Sequence, residues 1–104
     1  MSKRDKNGLT FEDVREEVKR FAIAMEDRLR ENEWRGYLND KNGWESMTRQ
    51  RLFNELTFEA VNLSVAIQTR SKPKVLMMSA DVANYAMMLF DNESRVKKEK
   101  KDEE

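Results

Sequence analysis

Apolar residues return at helical spacing in three stretches of the chain, and none of it alternates convincingly the way a strand does. The first stretch is Phe11, Val14, Val18, Phe21, Ala22, Met25 and Leu29, one stripe about five turns long, with Arg15, Glu16, Lys19, Arg20, Glu26 and Asp27 on the far face. Thr10 stands where a capping hydroxyl belongs, and Asp13 three residues later favours the helix dipole, so a helix is expected from Thr10. A second helix is expected from near Ser46 or Thr48 to about Thr69. Its main stripe is Leu52, Leu56, Ala60, Leu63 and Ile67, widened by Phe53, Val61 and Ala66. Ser71, Lys72 and Pro73 should end it, because proline lacks an amide donor and pushes its predecessor away from helix. A third helix is expected over about Lys74 to Asn92. It is apolar almost all round, including Val75, Leu76, Met77, Met78, Val82, Ala83, Met87, Leu89 and Phe90. Such a helix must be covered on most sides, and two others from one small chain can hardly cover it. The expected architecture is therefore an all-α bundle of three main helices, assembled as a homodimer or homotetramer with the third helix at or near the interface.

Between the first two helices the pattern breaks. The run NEWRGYLNDKNG (32–43) holds two of the chain's three glycines, three asparagines, and the aromatics Trp34 and Tyr37, and Trp44 follows at once. This is a loop, with room for a short extra helix within residues 33–47, and it is too aromatic for a passive linker. Residues 1–9 read as a disordered arm, 10–92 as the helical domain and 93–104 as a charged tail with almost nothing to bury.

Composition narrows the chemistry. The 104 residues hold 20 Lys and Arg against 20 Asp and Glu, with no histidine and no cysteine. Disulfides, thiol nucleophiles, Ser-His-Asp triads and the usual zinc sites are thereby excluded. Catalysis would have to rest on carboxylates, lysine, tyrosine or a hard metal held by oxygen. The balanced charge argues against a DNA or RNA partner, which needs a basic surface. No apolar run approaches the roughly 18 residues that span a bilayer, and the start does not read as a signal peptide, so no membrane partner and a cytoplasmic location are expected.

Polar residues within apolar surroundings mark the candidate site. Asp81 and Asn84 lie one turn apart on the third helix, and Glu55, Glu59 and Asn62 share a face of the second. With the two helices antiparallel, Glu59 and Asp81 face each other. Carboxylates from facing helices can converge on a divalent metal. They can equally be ordinary solvated residues beside a satisfied buried acid, and spacing alone leaves both readings open.

The run SADVANYAMMLFDN (79–92), preceded by FNELTFEAVNLSVAI (53–67), resembles the MazG-like all-α nucleoside triphosphate pyrophosphohydrolases, especially small members from phages and prophages. FAIAMEDRLREN (21–32) and NGWESM (42–47) also look like the stretch those members carry before their first metal-binding helix. The resemblance covers roughly Phe11 to Asn92, and DVANYAMM is its most specific part. It implies cleavage of a nucleotide between its α and β phosphates, with Mg²⁺ held by an E-x-x-E on one helix and an E-x-x-D on the next. Carried across, the pairs fall on Glu59 to Asn62 and Met78 to Asp81. Glu59 and Asp81 match as metal ligands, whereas Asn62 and Met78 do not. Asn62 loses a charge and Met78 offers a thioether that Mg²⁺ ignores, with Glu55 or Asn62 left as helpers.

The loop also departs from the family pattern. WRGYLNDKNGW is lengthened and carries Trp34, Arg35, Tyr37 and Lys41, aromatic faces for bases and cations for phosphates, unless Trp34 and Trp44 simply plug the bundle end. The expected function, following the resemblance, is a nucleotide-binding protein of phage origin, acting in the host cytoplasm, that sequesters a nucleotide or nucleotide-derived signal without turnover. Its intersubunit cleft would be lined by Glu55, Glu59, Asn62, Asp81 and Asn84, with Trp34, Arg35, Tyr37, Lys41 and Trp44 at the mouth. The alternatives are an active Mg²⁺-dependent pyrophosphohydrolase and a helical module that binds a host protein.

Overall fold

The computed structural model describes residues 8–33 and 43–95, and the described residues are helical with no strand. Three helices carry the fold: α1 (Glu16–Glu31), α2 (Arg49–Gln68) and α3 (Lys72–Arg95). The 3-10 turns Phe11–Asp13 and Trp44–Ser46 precede α1 and α2. The antiparallel pair α2 and α3 shares the largest interface, and α1 packs on α3. Leu52, Tyr85 and Met88 are buried at the centre, with Leu29, Trp44, Met47, Leu56, Met87 and Leu89 packed around them.

The ends of the helices depart from the sequence expectation for local reasons. Thr10 caps a 3-10 turn and not α1. The Asp13 carboxylate accepts from the Thr10 N–H at 3.1 Å and from its hydroxyl at 3.2 Å, closing a local turn. Val14 and Arg15 then run extended, and α1 starts at Glu16. Such side-chain bonds offer the backbone an alternative to helix. Lys19 reaches back to this turn, donating to the Glu12 carbonyl at 3.3 Å with its ammonium 5.7 Å from the Phe11 ring centroid. At α2 the expectation holds: the Thr48 hydroxyl accepts from the Arg51 N–H at 3.0 Å.

Pro73 does not separate α2 from α3; it sits in the first turn of α3, where its missing N–H would have had no helical partner. The Ser71 hydroxyl lies 3.4 Å from the Lys74 N–H it caps. The α2–α3 connection is a Schellman turn, with the Ser71 N–H on the Ala66 carbonyl at 3.0 Å and the Arg70 N–H on the Ile67 carbonyl at 3.1 Å. At the other end α3 runs to Arg95, three residues past the expected boundary at Asn92. Of the expected arm (1–9) and tail (93–104), residues 1–7 and 96–104 lie outside the described residues. No described helix is long and apolar enough to cross a membrane.

A large share of the apolar surface stays uncovered in the single chain. Val18, Phe21 and Ile23 of α1, Phe58, Val61 and Val65 of α2, and Leu76 and Phe90 of α3 are exposed, and α1 contributes no buried residue. The bundle is thus a thin one whose stripes extend beyond what three helices can cover.

Arg70 occupies the left-handed position of the Schellman turn, with φ at 57°, where glycine carries no Cβ penalty. Arg70→Gly is expected to raise the unfolding free energy by about 0.5–1 kcal/mol, after allowing for glycine's extra unfolded-state entropy. The denaturation midpoint should rise at unchanged m-value, and an unchanged or lower midpoint would contradict the strain at this turn.

Candidate functional site

The packing of α1 and α2 on α3 brings a polar cluster into the middle of the bundle. Glu59, Asp81 and Asn84 are all buried, and together with Arg28, Leu29, Asn32, Tyr85 and Met88 they line one cavity of about 10 Å³. That is room for roughly one water molecule. The antiparallel pairing of α2 and α3 thus does bring Glu59 and Asp81 to one place, as their spacing implied.

Arg28, which the sequence reading passed over, decides the chemistry there. Its Nε donates to Asp81 Oδ1 at 2.8 Å and its Nη2 to Oδ2 at 3.0 Å, a bidentate pair with both carboxylate oxygens engaged. Nη1 donates to Glu31 at 2.6 Å, which holds the guanidinium in place from its own helix. The Asp81 bond, assisted by Glu31, pushes the Arg28 pKa above the ordinary arginine range against partial burial. A raised arginine pKa contributes stability that is complete below the unfolded-state value and is lost only at still higher pH. The guanidinium side of this pair is therefore constant at any working pH. The signal in the sequence was a cation one turn beyond Met25 and beside Leu29, inside the apolar stripe of α1.

Around the pair, Glu59 accepts from Asn62 Nδ2 at 3.3 Å, and Asn84 Nδ2 donates to the Met25 carbonyl of α1 at 3.0 Å. Asn84 Oδ1 is buried and has no hydrogen-bond partner among the described residues, so the cavity retains unsatisfied acceptor capacity. Glu55 is half-buried one turn before Glu59 and does not line the cavity. A Mg²⁺ ion at Asp81 would have to displace a guanidinium already bonded to both oxygens, and the two charges would repel. The described residues contain no group of three or more acidic side chains placed to hold a metal. The donor set with Arg28 in place does not fit an octahedral Mg²⁺ site.

Trp44 lies elsewhere. Its Nε1 donates to Asp91 at 2.8 Å, its carbonyl accepts from Asn92 Nδ2 at 2.9 Å, and its ring packs on the core cluster. Ten residues separate Asp81 from Asp91, about 15 Å along the helix. Trp44 therefore packs at the end of the bundle and is not among the residues that line the carboxylate cavity. Arg95 ties this end further, pairing with both Asp91 and Glu45. At this end a second cavity of about 180 Å³ is lined by Glu45, Met47, Arg49, Leu52, Leu89, Asn92 and Glu93. Arg49 at its rim holds Glu93 through two bonds of 2.6 and 3.0 Å. Trp34, Arg35, Tyr37 and Lys41 lie outside the described residues.

Removing the guanidinium leaves a buried carboxylate with no counter-charge. Arg28→Met is expected to destabilise the fold by about 3 kcal/mol, and Arg28→Met with Asp81→Leu to recover a large part of that loss. Urea denaturation followed by circular dichroism checks both; a single variant within about 0.5 kcal/mol of the parent would show that the pair carries little.

No protein-family model, curated protein or solved structure matches the chain, so the likeness to the pyrophosphohydrolases rests on the residues quoted above alone.

Proposed function

We propose that the chain is a nucleotide-binding protein on a pyrophosphohydrolase-like helical scaffold in which cleavage has been lost. The observation that carries this reading is the bidentate Arg28–Asp81 pair. In the family that the sequence resembles, cleavage between the α and β phosphates depends on Mg²⁺ held by acids at the positions of Glu59, Asn62, Met78 and Asp81. Here two of the four are neutral, and one of the remaining two is neutralised by an arginine from α1. Without a metal there is nothing to activate water or to steady a pyrophosphate leaving group.

Acceptors dominate what remains of the cluster: the Glu59 carboxylate and the unpartnered Asn84 Oδ1. These favour a ligand's donors, such as an exocyclic amino group or ribose hydroxyls, over its phosphates. The carboxylate cavity is too small for a nucleoside. The cleft of about 180 Å³ beside Trp44 is below the roughly 300 Å³ of ordinary ligand sites, which is space for part of a ligand. Its lining includes Glu45, two residues after Gly43 in the chain. In this reading Trp34 and Tyr37 stack on the base, while Arg35 and Lys41 meet the phosphates. A protein of this kind acts by stoichiometric sequestration of a nucleotide or nucleotide-derived signal.

The convergence of Glu59 and Asp81 in one cavity favours a second reading, an active Mg²⁺- or Mn²⁺-dependent pyrophosphohydrolase. One experiment separates the two. The purified protein is incubated with Mg²⁺ and a panel of linear, cyclic and ADP-ribose-type nucleotides, and bound and free fractions are analysed by mass spectrometry. Sequestration predicts an intact ligand retained by the protein and released on heating, with no monophosphate accumulating. Monophosphate and pyrophosphate in the free fraction, abolished by Glu59→Gln, would establish the enzyme instead. Retention of no member of the panel would overturn the nucleotide reading altogether.

A further inference from the structure

Buried polar groups from all three helices meet at the carboxylate cavity, and neither their hydrogen bonds nor their charges balance. Asn84 of α3 gives its Nδ2 to the Met25 carbonyl at 3.0 Å. That carbonyl needs a donor, so the amide cannot be turned round, and Oδ1 is left as an acceptor. The oxygen is buried with no hydrogen-bond partner among the described residues, on a side chain only 4% exposed. Glu59 of α2 is 7% exposed. Its carboxylate receives the Asn62 bond at 3.3 Å and forms no ion pair among the described residues. The neighbouring guanidinium is already committed: Arg28 Nε and Nη2 go to Asp81, and Nη1 goes to Glu31. Arg28 thus cancels Asp81, and Glu59 keeps its charge in a cavity walled by Leu29, Tyr85 and Met88.

We propose that this cavity is a site for one compact monovalent cation, potassium or ammonium, held between the Glu59 carboxylate and Asn84 Oδ1. The room there, about 10 Å³, suits one water molecule, and either ion is close to water in size. A water molecule would satisfy Asn84 Oδ1 but leave the Glu59 charge buried and uncompensated, the costlier of the two defects. A single positive charge removes both. Ammonium donates a hydrogen bond to each oxygen, and potassium attracts the carboxylate charge and the amide dipole together.

Size and hydration select this class of ion. Mg²⁺ demands octahedral geometry and keeps several of its waters, and a cavity of this volume with one uncommitted carboxylate accommodates neither. Potassium and ammonium shed water more readily and accept neutral carbonyl-type oxygens as ligands. The site also leaves Asp81 with Arg28, so the ion adds to that pair and does not compete with it. Bound between Glu59 and Asn84, it ties α2 to α3, and the Asn84 bond to Met25 extends the tie to α1. The proposal is independent of the nucleotide reading and stands if no nucleotide binds.

The test is urea denaturation of the full chain at constant chloride and ionic strength, followed by circular dichroism. The only cation is potassium, ammonium or N-methyl-D-glucamine, the last of which screens surface charge but is too bulky to enter. Potassium or ammonium is expected to raise the folding equilibrium constant by the factor one plus its concentration over its Kd, at least about threefold at roughly 0.1 M. The more strongly stabilising of the two identifies the occupant. Glu59→Gln removes the charge and places an amide donor beside Asn84 Oδ1, so its stability should not depend on the cation. Glu17→Gln, at an exposed position of α1, should keep the dependence. Equal midpoints for the parent in all three salts would overturn the proposal and leave a water in the cavity. So would the same cation dependence in Glu59→Gln, the mark of an ion acting elsewhere.

Discussion

Asp81 is buried in the middle of a helix that is otherwise mostly apolar, and an isolated carboxylate there would be costly enough to unfold a domain this small. Arg28 supplies the missing charge from a different helix, with both guanidinium bonds in good geometry. Much else depends on that pair. It holds α1 onto α3 in the absence of any fully buried α1 side chain, and one turn away Asn84 adds a second polar tie to the α1 backbone. The bundle is therefore held together at its centre by polar geometry and around Leu52, Tyr85 and Met88 by packing.

The same pair constrains function. A carboxylate pinned by arginine on both oxygens is a poor ligand for Mg²⁺, and the neighbouring Glu59 is engaged by Asn62. What the cluster offers is a fixed set of acceptors beside a fixed cation. Removing either member of the ion pair strands the charge of the other.

Much of the fold was legible in the sequence. Three apolar periodicities gave three helices, Thr48 marked the start of α2, and the spacing of Glu59 and Asp81 implied their meeting across an antiparallel pair. The errors have local causes. Thr10 and Asp13 look like a helix start because a capping pair and a closed 3-10 turn use the same side chains. Pro73 looks like a break between helices, yet proline is equally at home in a first turn, and only the Schellman geometry at Arg70 shows where α2 ends. Trp44 carries no mark in the sequence for its ties to Asp91 and Asn92, which lie 47 and 48 positions away. Arg28 was hidden for a different reason. A single cation within an amphipathic stripe reads as a residue extending its charge to solvent, and its partner lies 53 positions away. Long-range ion pairs leave no periodic trace.

The central claim is that the Arg28 guanidinium, bonded to both oxygens of Asp81, keeps a divalent cation off that carboxylate. Mn²⁺ binding followed by electron paramagnetic resonance tests it directly, because free Mn²⁺ gives a sharp six-line signal that fades when the ion is bound. The account predicts an undiminished signal with the parent protein at equimolar, sub-millimolar Mn²⁺. Stoichiometric loss of the signal, restored by Asp81→Asn, would contradict it.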